Sequence, residues 1–362
     1  VQQRCSVAQY HFWSMPDPDY MPVFALKIIL KTIDQVNVSV NVMDKNQQTL
    51  TGKKPFKVRN KKIIKSGTIK FHAPTDETPE AIINDLETIH KRTKFYSLFS
   101  GGKDSMSTTH WLDSIGKLEA VVHIKTNIGL QMTTDFVEEI CEKHGWKLYI
   151  IEPNPKFTYA SHVLQYGFPL AGFHRLIMGK LKYKTMRDFA LSIDRKNHCL
   201  ISGVRKFESV RRMGNYPYPI QEDSVLWFGC PMFYKSSEET YRYVHENGLT
   251  ISPAYSKGLG TSGECMCGSF ATGGEKQMIR RLDPKLADYI DWLEDGIQKF
   301  GTKEAKRYPK WGDQSKMSDL ENQQQIDSFF KDKPDLQQVN DLESMVCGAE
   351  CGAGSMRGML DY

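Results

Sequence analysis

The stretch Phe95 to Ser105, FYSLFSGGKDS, constrains this chain more than any other, because a helical-looking MSTTHWLDSIG follows it directly. An apolar run stops at a small, glycine-rich turn carrying Lys103, Asp104 and the hydroxyls of Ser100 and Ser105. That order reads as strand, loop and helix start. Gly101 and Gly102 have no Cβ, so the backbone can take unusual dihedrals and let an anion come close. The unpaired N–H groups and dipole of a helix's first turn attract negative charge. Lys103 adds a full positive charge, and Asp104 can hold a lysine or a metal ion such as Mg²⁺. The stretch therefore predicts a phosphate-binding turn. It is not Walker A, which needs four residues between its first glycine and the Gly-Lys pair.

Around this turn the pattern alternates between strand and helix. Strands are expected over residues 95–99, 119–126, 147–151 and 197–202. An amphipathic helix carries Trp111, Leu112 and Ile115, and another is expected to begin at a cap on Asp135 and end at Gly145. The fold class expected is α/β, a mainly parallel twisted sheet with helices on both faces and right-handed crossovers. In such sheets ligands bind beyond the carboxyl ends of the strands, where the glycine turn sits. Three regions follow: a β-containing region over 1–80, the α/β domain over 81–282, and a helical extension over 283–362 that ends in a Gly/Cys-rich tail. Val36, Val38, Val40 and Val42 alternate as in a half-exposed strand. The basic run from Lys53 to Lys65 suits solvated hairpin lysines or contacts with nucleic-acid phosphates. In the extension, Asp283 and Pro284 suit a helix cap and first position, with an apolar stripe through Leu286, Ile290, Leu293 and Ile297. Residues 303–316 are basic and aromatic and read as a surface loop, with a cover over the nucleotide or a contact with a nucleic-acid partner as the alternative, and Ser318 reads as the cap of a helix running through Phe330.

Composition excludes several classes. No apolar run approaches the ~20 residues of a membrane helix, and the net charge of +5 over 362 residues does not by itself point to nucleic acid. Eight cysteines at irregular spacing suggest reduced thiols, a metal site or redox chemistry rather than a disulfide framework. The expectation is a cytoplasmic protein without a membrane span, assembling as a homo-oligomer.

The string Ser100-Gly101-Gly102-Lys103-Asp104-Ser105 resembles the PP-loop of the adenine nucleotide α-hydrolase superfamily, which includes ATP pyrophosphatases and the 3′-phosphoadenylyl sulfate (PAPS) reductases. Further segments resemble the PAPS reductases in that family's order, over about residues 94 to 270. Thr126, Asn127 and Gly129 stand where the family has an Asp-Thr-Gly turn, with Lys125 in place of the aspartate. Arg175 and Lys182 resemble its Arg-Trp-Cys-x-x-x-Leu-Lys segment. Ser202, Gly203, Arg205, Glu208, Ser209 and Arg212 resemble its T-G-x-R-x-x-E-S-x-x-R motif. The resemblance implies that an adenine nucleotide, ATP or PAPS, is held by Ser100 to Ser105, Thr126, Lys182, Gly203, Arg205, Glu208 and Arg212. Arginine suits this role because it grips phosphate or sulfate oxygens in pairs. A surface salt bridge is the plainer reading of each cation taken alone.

The cysteines divide the reactions open to the chain. PAPS reductases use a cysteine in a C-terminal Glu-Cys-Gly-(Ile/Leu)-His segment to attack the sulfate sulfur, and thioredoxin reduces the product. Here Glu350-Cys351-Gly352 is present and the histidine is not, so the resemblance offers Cys351 as nucleophile beside Lys103 and Arg205, while a mobile tail is the alternative. Cys230, Cys265 and Cys267, completed by Cys347 or Cys351, offer thiolates for a [4Fe–4S] cluster or, less well, zinc. Cys-x-Cys is tighter than the usual spacing, and buried structural thiols are the simpler account of Cys141 and Cys199. Three functions result: a sulfonucleotide reductase; an ATP pyrophosphatase-type transferase modifying nucleic acid, as in DNA phosphorothioation; and a nucleotide-binding subunit without catalysis.

Overall fold

The computed structural model describes residues 69–313, except 195, 209–216, 224 and 272–273. The valine-rich strand, the basic run at Lys53 to Lys65, Ser209, Arg212, the helix expected from Ser318, Cys347 and Cys351 lie outside the described residues.

Among the described residues, seven strands form one sheet: β1 (Lys70–His72), β2 (Lys94–Leu98), β3 (Leu118–Ile124), β4 (Leu148–Ile151), β5 (His198–Ile201), β6 (Ile220–Asp223) and β7 (Leu226–Gly229). Their spatial order is β1-β6-β7-β5-β2-β3-β4. The strands from β7 to β4 run parallel, and β6 pairs antiparallel with both β7 and β1. The hairpin β6–β7 and the short β1 carried no clear sequence signal, whereas β2, β3, β4 and β5 fall where the apolar runs predict them.

The helices in chain order are α1 (Pro79–Thr88), α2 (Lys103–Ser114), α3 (Gln131–His144), α4 (Tyr159–Tyr166), α5 (His174–Met178), α6 (Lys184–Ser192), α7 (Ser237–Glu246), α8 (Pro253–Ser256), α9 (Glu275–Leu282) and α10 (Pro284–Phe300). A π turn, Gly179–Tyr183, joins α5 to α6. Successive side chains of a strand point to opposite faces, and the core divides accordingly. Phe95, Cys199 and Ile201 pack with Ile82 and Leu86 of α1 and Leu112 of α2. Tyr96, Val122 and Leu200 pack on the other face with Met178, Met186 and Phe189 from α5 and α6. Helices thus cover both faces.

One helix start differs from expectation. α3 begins at Gln131, with Leu130 as its cap residue, so Asp135 lies a turn inside and accepts a hydrogen bond from Gln131 Nε2 at 2.8 Å. Gly145 does end α3, in the left-handed conformation that caps favour. At α10, Asp283 Oδ1 accepts the Leu286 N–H at 3.0 Å and Pro284 takes the first turn. Leu286, Ile290, Leu293 and Ile297 are buried, in a further cluster with Tyr159, Met266 and Cys267. The segment read as a surface loop is anchored there too, because Trp311 is buried and its Nε1 donates to Met266 O at 2.9 Å. Among the described residues, no helix is long and apolar enough to cross a membrane.

Candidate anion site at the switch point of the sheet

From β2 the chain crosses to β3 on one side, and from β5 it proceeds to β6 and β7 on the other. Reversal of strand order opens a crevice beyond the carboxyl ends of the two adjacent strands. The glycine turn leaves β2 on one side of that crevice, and Gly203 to Arg205 leaves β5 on the other. An open cleft of ≈ 1050 Å³, counting its solvent-filled mouth, is lined by Ser100, Gly102, Asp104, Ser105, Lys182 and Gly203, and on its far wall by Thr261 to Ala271.

Local sequence shapes the turn. Gly101 has φ +83°, a value that favours glycine, and its carbonyl accepts the Ser252 N–H at 2.8 Å. Gly102 is the N-cap of α2, and no side chain caps that helix end, so first-turn N–H groups face the turn. Gly203 lets the β5 turn close on α2, since a Cβ there would lie 2.6 Å from the backbone carbonyl of Asp104.

Asp104 is the hub. Its carboxylate accepts Lys103 Nζ at 2.8 Å, Arg205 Nε at 2.8 Å and Arg205 Nη2 at 3.3 Å. All three side chains are buried. Burial pushes the Asp104 carboxyl up, but the charges and hydrogen bonds of Lys103 and Arg205 outweigh it and hold the group below its ordinary range. Lys103 and Arg205 stand on either side of Asp104 rather than on the cleft wall itself. With one carboxylate between two cations, the trio keeps a net positive charge, beside the positive end of a helix dipole. Lys103 Nζ also lies 5.1 Å from the ring centroid of Tyr241. Glu208 Oε2 accepts the Arg205 backbone N–H at 3.1 Å and so fixes the arginine's main chain.

Other expected residues reach the cleft differently. Lys182, in the π turn, is buried and pairs with Glu264 Oε2 at 3.1 Å. Thr126 is buried and donates to the Glu264 carbonyl at 2.9 Å, so it braces the far wall. Arg175 falls in α5. Glu264 and His174 were missed as site residues, since neither belongs to a short-range pattern. Only the adjacency of Glu264 to Cys265 could have drawn notice.

The cysteines do not assemble as expected. Cys230 is fully buried in the sheet core with Phe228 and Phe233, whereas Cys265 and Cys267 pack in the cluster formed with α10 and line the cleft. Among the described residues no group of His, Cys, Asp or Glu is arranged to hold a metal ion. Cys230 thus falls in a different cluster from Cys265 and Cys267, and Cys347 lies outside the described residues. Burial pushes the Cys199 thiol up, aided by neighbouring Cys230. Cys267 behaves oppositely. The Cys265 thiol beside it, with His174 and Ser269, holds the Cys267 thiol well below its ordinary range against the upward push of burial.

Fold and site together define a doubly wound α/β domain with a glycine turn, a helix start and a buried Lys103–Asp104–Arg205 trio at its switch point. Residues 94–270 match the phosphoadenosine phosphosulfate reductase domain family. Over these residues, just under half of the chain, it is similar to the PAPS reductase-like family of the adenine nucleotide α-hydrolase superfamily. It is similar to the adenosine 5′-phosphosulfate reductase of Bacillus thuringiensis (strain Al Hakam), 25% identical over 194 residues that cover 52% of this chain and 79% of the relative. The enzyme of the same name from Bacillus cereus (strain 03BB102) is 24% identical over 168 residues, 45% of this chain and 68% of the relative. Among solved structures, phosphoadenylyl-sulfate reductase from Candida auris, a phosphate complex, aligns over 50% of this chain and 85% of its own, with 16% identity and a TM-score of 0.37. NMN synthetase from Francisella tularensis aligns over 61% and 92%, with 13% identity and a TM-score of 0.34.

Proposed function

We propose that this chain is a sulfonucleotide reductase-like enzyme that binds adenylyl sulfate or its 3′-phosphorylated form and releases sulfite. The observation that carries the reading is the Lys103–Asp104–Arg205 trio, held at the switch point beside the uncapped start of α2. A phosphosulfate is a short chain of anionic oxygens. It suits a cradle that offers helix N–H groups, a lysine ammonium and the arginine N–H groups not engaged with Asp104. When the ligand enters, Lys103 and Arg205 exchange part of their hold on Asp104 for the nucleotide's oxygens. They then stabilise the charge that collects on the phosphate as the sulfate sulfur is attacked. Ser100 and Ser105, 3.2 Å apart, add hydroxyl donors at the same turn.

Among the candidate site residues, Lys103 and Arg205 are assigned to transition-state stabilisation and Lys182 to charge balance on the far wall. The resemblance puts the nucleophile at Cys351, which lies outside the described residues. A protein dithiol of the thioredoxin type is the expected electron donor. The test is calorimetry of the full chain with adenylyl sulfate, PAPS and ATP, followed by sulfite assay under anaerobic conditions with a dithiol reductant, for wild type and C351S. Binding of a sulfonucleotide with sulfite release supports the reading. Binding of ATP alone, with pyrophosphate release, would replace it with the transferase function.

A further inference from the structure

We infer that His123 is a positioning residue of the anion turn: its imidazole sets the Phe99–Ser100 peptide so that the Ser100 N–H faces the crevice and meets an oxyanion there. The inference adds a residue to the site described above, and it rests on the reductase reading only for the identity of the ligand.

In the sequence His123 is a single polar residue inside the apolar run from Ala120 to Ile124. It lies near the carboxyl end of β3 and is buried, a placement that costs stability unless its polar atoms find partners. Both ring nitrogens do so, Nδ1 with Phe99 O at 2.9 Å and Nε2 with Thr134 Oγ1 at 3.3 Å. A carbonyl can only accept, so Nδ1 carries a proton and donates it. Burial pushes the imidazole pKa down and keeps the ring neutral, and Nε2 then accepts the Thr134 hydroxyl.

The consequence lies in the backbone. Phe99 N–H donates to Val122 O at 2.9 Å, so the chain leaving β2 still pairs with β3 at this residue, and the Phe99 carbonyl is drawn to the same side by His123. In a planar trans peptide the C=O and the N–H that follows it point in opposite directions. With Phe99 O turned toward β3, the Ser100 N–H points toward β5, into the crevice between β2 and β5. A second peptide of the turn is set in the same way. Ser252 N–H donates to Gly101 O at 2.8 Å, so the Gly102 N–H points away from Ser252. Ser252 Oγ and Thr133 Oγ1 both donate to Ser262 O, at 3.0 and 2.5 Å. Neighbouring residues of α3 therefore brace both carbonyls, Thr134 through His123 and Thr133 through Ser262 and Ser252. Among the described residues, neither the Ser100 nor the Gly102 N–H donates to a backbone carbonyl. With carbonyls turned back and amides turned forward, the turn has the form of an anion-binding nest.

The experiment is calorimetry of the full chain with inorganic phosphate, alongside urea midpoints, for wild type, H123N, H123L and V121A. Asparagine places an amide N–H where Nδ1–H stood, whereas leucine leaves the Phe99 carbonyl without that donor. Val121 shares the His123 face of β3 and packs in one cluster with Phe99, so V121A removes packing and no hydrogen bond. H123L is expected to weaken phosphate about tenfold, the worth of one N–H bond to a charged oxygen, and H123N to stay within about threefold of wild type. V121A is expected to lower the urea midpoint at unchanged Kd. If H123L fails to fold, nitrogen NMR of the wild-type protein decides, with a neutral Nδ1–H ring expected and the Ser100 amide proton shifting on addition of phosphate. An Nε2–H ring, wild-type affinity in H123L, or the same loss of affinity in V121A overturns the inference and leaves the reductase reading to the sulfite assay. Phosphate binding that depends on His123, without sulfite from either sulfonucleotide, supports the inference and removes the reductase reading. A wild type that binds neither phosphate nor a sulfonucleotide overturns both.

Discussion

Replacing Asp104 with asparagine probes the site most directly, because it keeps the side chain's shape and removes the charge between Lys103 and Arg205. Those cations are only 8% and 4% exposed, so D104N leaves two buried positive charges facing one another. Removing one partner of a buried ion pair costs about 3–5 kcal/mol. The amide oxygen still accepts one hydrogen bond, worth about 1 kcal/mol, so the expected loss is about 2–4 kcal/mol. Urea denaturation followed by tryptophan fluorescence reads this as a lower midpoint. Inorganic phosphate replaces the missing negative charge, and a ligand at one hundred times its Kd stabilises by about 2.7 kcal/mol. Phosphate should therefore stabilise D104N more than wild type. The pH dependence adds a second signature. The folded-state carboxyl sits below its unfolded value, so as pH falls the unfolded chain takes up the proton first. The wild-type advantage over D104N is then full above about pH 5 and shrinks on acidification through the folded-state pKa. Equal midpoints without phosphate, or equal stabilisation of both proteins by it, would refute the reasoning.

Gly203→Ala drives a Cβ into the Asp104 carbonyl and the Ser105 nitrogen, at 2.6 and 2.7 Å. It should lose about 1–3 kcal/mol of stability and weaken phosphate binding by calorimetry, and wild-type affinity would contradict the packing described. Glu264→Gln leaves Lys182 buried without its carboxylate at 3.1 Å; a loss of about 3 kcal/mol is expected in urea, while a change under 0.5 kcal/mol would place the pair outside the stabilising set. His162 is buried and next to Lys180, and its pKa is pushed down to about 3, by burial first and the lysine second. Between the unfolded value of about 6.5 and that limit the unfolded chain binds a proton that the folded one does not, so stability falls with decreasing pH by ~1.4 kcal/mol per pH unit. In His162→Gln that part of the acid slope should disappear from a series of urea midpoints taken between pH 6 and 4.

Strands β2 to β5 and the glycine turn into α2 were legible because they are local. Apolar runs of strand length, a Gly-Gly pair and a helix start sit within a few residues of one another, and steric and dipolar effects at that range depend little on the rest of the fold. β1, at one edge of the sheet, and the β6–β7 hairpin beside it were not legible, since strands of three or four residues owe their pairing to the sheet they join. The π turn also escaped notice. Its extra residue shifts the side chains that follow around the helix axis, so a 3.6-residue period does not show that Leu181 and Lys182 are both buried.

By itself the sequence determined the α/β alternation and the strand-turn-helix cradle. Tertiary structure decided which charges meet there. Asp104 and Arg205 are 101 residues apart, and Lys182 and Glu264 are 82 apart; each pair is joined only because β5 lies beside β2 and the segment after α8 folds against the loop after β3. The same packing sent Cys230 into the sheet core and Cys265 with Cys267 to the cleft. Composition and spacing register that a residue is buried or charged, but partner choice across such distances follows from strand order and from the geometry of the packed layers.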